Sequence, residues 1–157
     1  MTRLFGRAKP GQRVVEATPG DAGTHYTLLA AVGLQGLQAP ALLTGVMDGS
    51  AFEVYIAQVL LPTLRRGDIV LMDNLSSHKS PRIRRLIESV GARLEYLPPY
   101  SPDLNPIELC WSKVKTVLRT AKAHTFEALL EALADAFGSV AKQDIAAWFA
   151  HCGYVKP

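Results

Sequence analysis

Two acidic side chains carry the chemical argument in this chain of 157 residues. Asp73 closes the apolar run Ile69-Val70-Leu71-Met72, and Glu108 closes the stretch Tyr100-Ser101-Pro102-Asp103-Leu104-Asn105-Pro106-Ile107. Carboxylates from two separate elements repel each other when a fold brings them to one place. The arrangement becomes favourable with a divalent cation between them, and Mg²⁺ prefers such hard oxygens while keeping waters for substrate phosphates. Two such ions about 4 Å apart would clamp the attacking and leaving oxygens of a phosphodiester. Basic residues follow both acids: Lys79, Arg82, Arg84, Arg85 and Arg93 after Asp73, then Lys113, Lys115, Arg119 and Lys122 after Glu108. Groups so placed would hold an anionic substrate through its phosphates. Each acid also has a purely structural reading. Asp73 and Asp103 can be turn formers, and Glu108 can close a capping box onto the Asn105 amide.

The elements that must position these acids are legible from spacing. Ile69 to Met72 lies between Gly67-Asp68 and Asn74-Leu75-Ser76-Ser77 and lacks alternation, so a strand covered on both faces is expected. Asp73 then stands at the carboxyl tip of a central strand, where open α/β sheets place their ligands. Pro102 suits a type I turn, Asn105 an N-cap and Pro106 the first helical position, which puts Glu108 at the third. In the helix that follows, Ile107, Cys110, Trp111, Val114 and Leu118 form the apolar stripe. Glu108, Ser112, Lys115 and Arg119 share another face.

Around this centre the spacing predicts a possible short strand over Gln12 to Ala17 and a hairpin of Tyr26 to Val32 with Pro40 to Val46. Phe52, Tyr55, Ile56, Val59 and Leu60 predict a helix that Pro62 ends, and Ile83, Leu86, Ile87 and Val90 a second that stops at Gly91. Ala92 to Leu97 reads as a strand. Two closing helices carry Phe126, Leu129, Leu130, Leu133 and Phe137, then Ile145, Trp148, Phe149 and Cys152. Strand and helix alternate in the middle of the chain while the opening hairpin is antiparallel, so one α/β domain with a mixed sheet is expected.

Hydrophobic content of 48% and charged content of 20% exclude a disordered or collagen-like chain. A net charge of +3 permits a polyanionic partner without requiring one. Two cysteines without metal-binding spacing argue against a disulfide scaffold and for reduced thiols in the cytoplasm. Met1 to Arg13 has no apolar core and is no secretory signal, and no stretch is long enough to span a membrane.

Asp73-Asn74-Leu75-Ser76-Ser77-His78-Lys79, followed by Leu97-Pro98-Pro99-Tyr100-Ser101-Pro102-Asp103-Leu104-Asn105-Pro106-Ile107-Glu108, resembles the second Asp and the Glu of mariner-type DDE transposases, bacterial insertion-sequence branch. Thirty-four residues separate the two acids, as the resemblance leads one to expect. The likeness runs from Thr2-Arg3-Leu4-Phe5-Gly6-Arg7-Ala8 to His151-Cys152-Gly153-Tyr154. It implies an RNase H-like mixed sheet flanked by helices, with extra C-terminal helices, over residues 1–157. It also implies two Mg²⁺ or Mn²⁺ ions, DNA as substrate (transposon ends and target), and a homodimer in the active complex. By position, Asp73 and Glu108 would be catalytic and metal-binding. Asn74, His78, Asp103 and Asn105 would support the site, and Lys79, Arg82, Arg85, Lys113, Lys115 and Arg119 would hold DNA. The chain would work on DNA in the cytoplasm, at the nucleoid.

The resemblance fails at one place. The family's first Asp lies on the first, central strand, upstream of the segment that Thr2 to Ala8 matches, and Asp21, Asp48 and Asp68 lie in the wrong stretches to replace it. The domain is therefore expected to be incomplete at its N-terminus, with two open strand edges that invite pairing with another chain, such as an upstream transposase segment. The alternatives are an inactive remnant that only binds DNA or a partner chain, and a stand-alone RNase H-like nuclease, for which a third carboxylate is lacking.

Overall fold

The computed structural model describes residues 9–12 and 24–154. Beyond Gln12, the strand expected as far as Ala17 lies outside these residues, as does the segment Thr2 to Ala8.

Strands β1 (Tyr26–Gly33) and β2 (Gly36–Thr44) pair antiparallel through a turn at Leu34 and Gln35. β2 begins at Gly36, ahead of the expected Pro40, because the register shifts between Leu29 and Ala31. Ala39 takes up the extra length at φ +51, and this bulge lets Pro40 sit inside a strand although it has no N–H to give. The Tyr55 hydroxyl donates to the Ala39 carbonyl at 2.9 Å, and burial pushes its pKa up to about 12. Alternate residues of the hairpin then face two separate cores. Leu29, Ala31, Ala39 and Ala41 turn to one, Leu28 and Leu37 to the other.

The first core is closed by α1 (Gly49–Tyr55), which runs on through a π-helical turn at Ile56–Leu60 and a 3-10 turn at Leu61–Thr63. This helix starts earlier than its apolar stripe because the Asp48 side chain caps it, accepting from the Ala51 amide at 2.7 Å. β3 (Ile69–Met72), α2 (Pro81–Ser89) and β4 (Arg93–Tyr96) form a parallel β-α-β unit packed on the same core, in register from Ile69 opposite Arg93 to Met72 opposite Tyr96. Gly91 makes the stop after α2. It sits at φ +80, and a Cβ there would come within 2.9 Å of the Arg66 side chain.

The expectation that β3 is covered on both faces is corrected here. Ile69 is 54% exposed and only Met72 is buried, Val70 and Met72 packing on the first core. The mixed sheet consists of two two-stranded ladders, one antiparallel and one parallel. Among the described residues no strand joins them.

The second core lies under α3 (Pro106–Ala121) and α4 (Phe126–Gly138), with Cys110, Val114 and Ala136 fully enclosed. Helix α5 (Lys142–His151) packs across α3, Trp148 joining the same core. Among the described residues no helix is long and apolar enough to cross a membrane.

Candidate active site

Asp73 emerges from β3 into a loop whose first turn the side chain itself builds. Its Oδ1 accepts from the Leu75 amide at 3.1 Å and lies 2.6 Å from His78 Nδ1. Nδ1 is buried and Asp73 is the partner within its reach, although the approach falls short of the alignment of an ideal hydrogen bond. At that separation the pairing is the interaction that matters, since an unpartnered buried ring nitrogen would be costly. The His78 ring stacks on Phe52 with centroids 4.1 Å apart, and its carbonyl accepts from the Tyr96 hydroxyl at 2.7 Å. The first core and β4 thus hold His78, and His78 holds Asp73. Oδ2 of Asp73 makes no hydrogen bond among the described residues, and the side chain remains 41% exposed.

Glu108 arrives by another route. Pro102–Leu104 form a 3-10 turn, Asn105 leads into α3, and buried Pro106 anchors its first turn. The Asn105 side chain makes no cap, and its amide donates to the Pro102 carbonyl at 3.0 Å, so the capping box that would have occupied Glu108 does not form. The Glu108 carboxylate is exposed and makes no hydrogen bond or ion pair among the described residues.

Both acids line one open cleft of ≈ 450 Å³. Asp73 to Ser76 and Lys79 form one wall, and Leu97 to Pro102 with Asn105 and Glu108 form the other. Among the described residues no arginine or lysine neutralises either carboxylate. Asn74 and Asn105 therefore reach the cleft as expected, and His78 reaches it through Asp73. Asp103 does not. It is exposed in the turn outside the lining, where its charge, after burial, helps raise the pKa of the Cys152 thiol. Of the other acids weighed earlier, Asp21 lies outside the described residues and the remaining two serve local structure. Asp48 caps α1, and Asp68 accepts from the Arg65 amide at 2.7 Å.

The basic residues divide in the same way. Lys79 lines the cleft, while Lys115 and Arg119 continue the exposed face of α3 that carries Glu108. Arg85 is exposed on α2. Arg82 is partly engaged with Glu53, whose carboxylate also receives the Ser80 hydroxyl, and Arg84 is spent on Glu88, the Leu94 carbonyl and the Tyr96 ring. Lys113 is committed to Asp144 at 2.5 Å and braces α5 against α3. Reasoning from sequence missed this pair, and it missed the aromatic and apolar wall made by Leu97, Pro98, Pro99 and Tyr100, with Leu75 across the cleft from it. The double proline marked a rigid loop but not which way it faced.

The donor set fits a hard divalent cation in part. Two unneutralised carboxylates share the cleft, each with oxygen left over, and Mg²⁺ is commonly held by one or two carboxylates plus waters and phosphates. Among the described residues no three His, Cys, Asp or Glu side chains are grouped to hold a metal ion.

The antiparallel hairpin, the parallel β-α-β unit and the helices packed on them fit an RNase H-like α/β fold, with one acid at the tip of β3 and another in the first turn of α3. The chain belongs to the DDE superfamily endonucleases, whose family model matches residues 1–130. In structure it is similar to the mariner transposase Mos1. The Mos1 strand transfer complex matches at 20% identity with a TM-score of 0.78, over 96% of this chain and 47% of that one. The Mos1 paired-end complex with Mn matches at 20% identity and a TM-score of 0.76, over 96% and 49%. The Mos1 catalytic domain with raltegravir and Mn matches at 16% identity and 0.67, over 82% and 77%. The chain thus spans about half the length of the Mos1 chains seen in the DNA complexes. No curated protein matches it by sequence.

Proposed function

We propose that this chain supplies two of the acids, Asp73 and Glu108, for metal-dependent cleavage and strand transfer of DNA at the ends of a transposable element. The observation that carries the reading is that two carboxylates without a basic partner among the described residues, one after β3 and one from α3, line a single cleft. A pair of Mg²⁺ or Mn²⁺ ions in the complete site would activate the attacking oxygen and offset charge on the leaving one. Asp73 offers its free Oδ2 while His78 and the Leu75 amide hold the other oxygen, which fixes the direction in which the acid points. Glu108 offers an uncommitted carboxylate. Lys79 in the cleft, and Lys115 and Arg119 along α3, would grip the phosphates on either side. Transposon ends and target DNA would be its partners, with an upstream transposase segment completing the ligand set and a second copy pairing the two ends.

The test is a fusion of the chain behind the upstream segment of its own element, assayed on transposon-end DNA. Cleavage should require Mg²⁺ or Mn²⁺ and fall by orders of magnitude in both Asp73→Asn and Glu108→Gln, since each removes a ligand charge. Full activity in either variant would show that the acids are misassigned. A second reading, an inactive remnant that binds DNA through its phosphates, draws on the absence of any three-ligand group among the described residues. It predicts binding that falls steeply with salt and ignores metal.

A further inference from the structure

We propose that Tyr100 is a stacking platform for an unpaired nucleobase at the mouth of the Asp73–Glu108 cleft, an inference that rests on reading the cleft as a nucleic-acid site. Tyr100 lines the cleft with both acids, yet its exposure is 103%, so the protein covers none of its ring. Its hydroxyl makes no hydrogen bond among the described residues. The ring therefore adds nothing to the core, while its backbone sits at φ +57, a left-handed conformation that bulky side chains rarely adopt and glycine takes freely. A residue chosen for folding alone would be Gly or Asn.

The surrounding loop enforces the conformation. Pro98 and Pro99 precede Tyr100, Pro102 follows it, and the Ser101 hydroxyl donates back to the Pro99 carbonyl at 3.3 Å. Strain that persists because neighbours impose it is typical of positions that contact a ligand. Because the prolines already stiffen the loop, little backbone freedom is lost when a flat partner stacks on the ring. Leu75, 56% exposed on the opposite wall, gives that partner an apolar second side.

Charge selects the partner. Lys79 shares the cleft, and Lys115 and Arg119 lie on the exposed face of α3 beyond Glu108, cations suited to a phosphate chain. Paired bases hide both faces inside the duplex, so the base that meets Tyr100 is one that has left the stack. Stacking of this kind tolerates any base, since every base has a π face.

The full chain, mixed with a short single-stranded oligonucleotide carrying the fluorescent base 2-aminopurine, tests this. Wild type and Tyr100→Phe should quench the probe, and Tyr100→Ala should bind about tenfold or more weakly without quenching. Tyr100→Gly is the decisive variant, because glycine relieves the backbone. Its denaturation midpoint should hold or rise while quenching disappears. A Gly variant that is less stable but still quenches, or a wild type that never quenches, overturns the inference. Mn²⁺ binding, followed separately by electron paramagnetic resonance in Asp73→Asn and Glu108→Gln, reports on the metal reading. That reading can fail with quenching intact, and quenching can fail with Mn²⁺ binding intact.

Discussion

The two walls of the cleft hold their acids in opposite ways. On the β3 side the side chain itself is tied, with Asp73 accepting from the Leu75 amide and paired closely with His78, whose ring stacks on Phe52. On the α3 side the backbone is tied and the side chain is left alone. Pro106 is buried, the Tyr154 hydroxyl donates to the Leu104 carbonyl at 2.7 Å, and Lys113 pins α5 through Asp144. A strand end is a flexible place that needs a side-chain brace. The first turn of a helix is already rigid, so fixing the helix fixes the carboxylate's origin and leaves its tip free to meet a ligand.

If this contrast is right, the acids should part company in stability. Asp73→Ala strands a buried imidazole nitrogen and should cost about 1–3 kcal/mol in chemical denaturation. Glu108→Gln loses only a charge at a helix start, about 0.5 kcal/mol. Equal losses would abolish the distinction. Next in size is His78→Phe, which keeps a ring on Phe52 and removes only the brace. It should leave the fold nearly intact and weaken Mn²⁺ binding by about 10- to 100-fold, the range for partners that orient a metal ligand.

The sequence made the frame of this site readable and its side-chain wiring much less so. Apolar periodicity located α2 and the other helices, because burial in one direction leaves a period in the chain, while β3 stood out as an unbroken apolar run between turn residues. Pro106 and Asn105 marked where α3 begins. Periodicity says nothing of which polar tip meets which. Lys113 looked like one more cation for DNA until the packing of α5 brought Asp144 to it. Asp103 looked as well placed as Asn105, but the 3-10 turn rotates it away from the cleft. The early start of β2 depends on a bulge at Ala39, an alanine in a conformation that its type does not announce.

The α3 wall offers finer tests. Tyr154→Phe removes the tie to Leu104 and should cost about 0.5–1.5 kcal/mol, with faster hydrogen exchange at the Leu104 and Asn105 amides that close the turn before Glu108. Unchanged exchange there would mean that the turn holds itself.

The smallest effect is in pH. Asp144 has its pKa lowered from 3.8, first by the hydrogen bond from Lys113 and then by the Ala141 amide. A carboxylate more acidic in the folded state than in the unfolded one stabilises the fold fully above its unfolded value, and that contribution is lost as pH falls through the folded value. Stability should therefore drop more steeply below pH 3.8 in wild type than in Asp144→Asn. Because α5 leans on α3 through this pair, the same acid range should loosen the helix under Glu108 before it disturbs the Asp73 turn. Amide exchange along α3 and around Leu75, compared as the pH is lowered, reads that order directly. Simultaneous loosening of both walls would mean that the two cores do not yield independently.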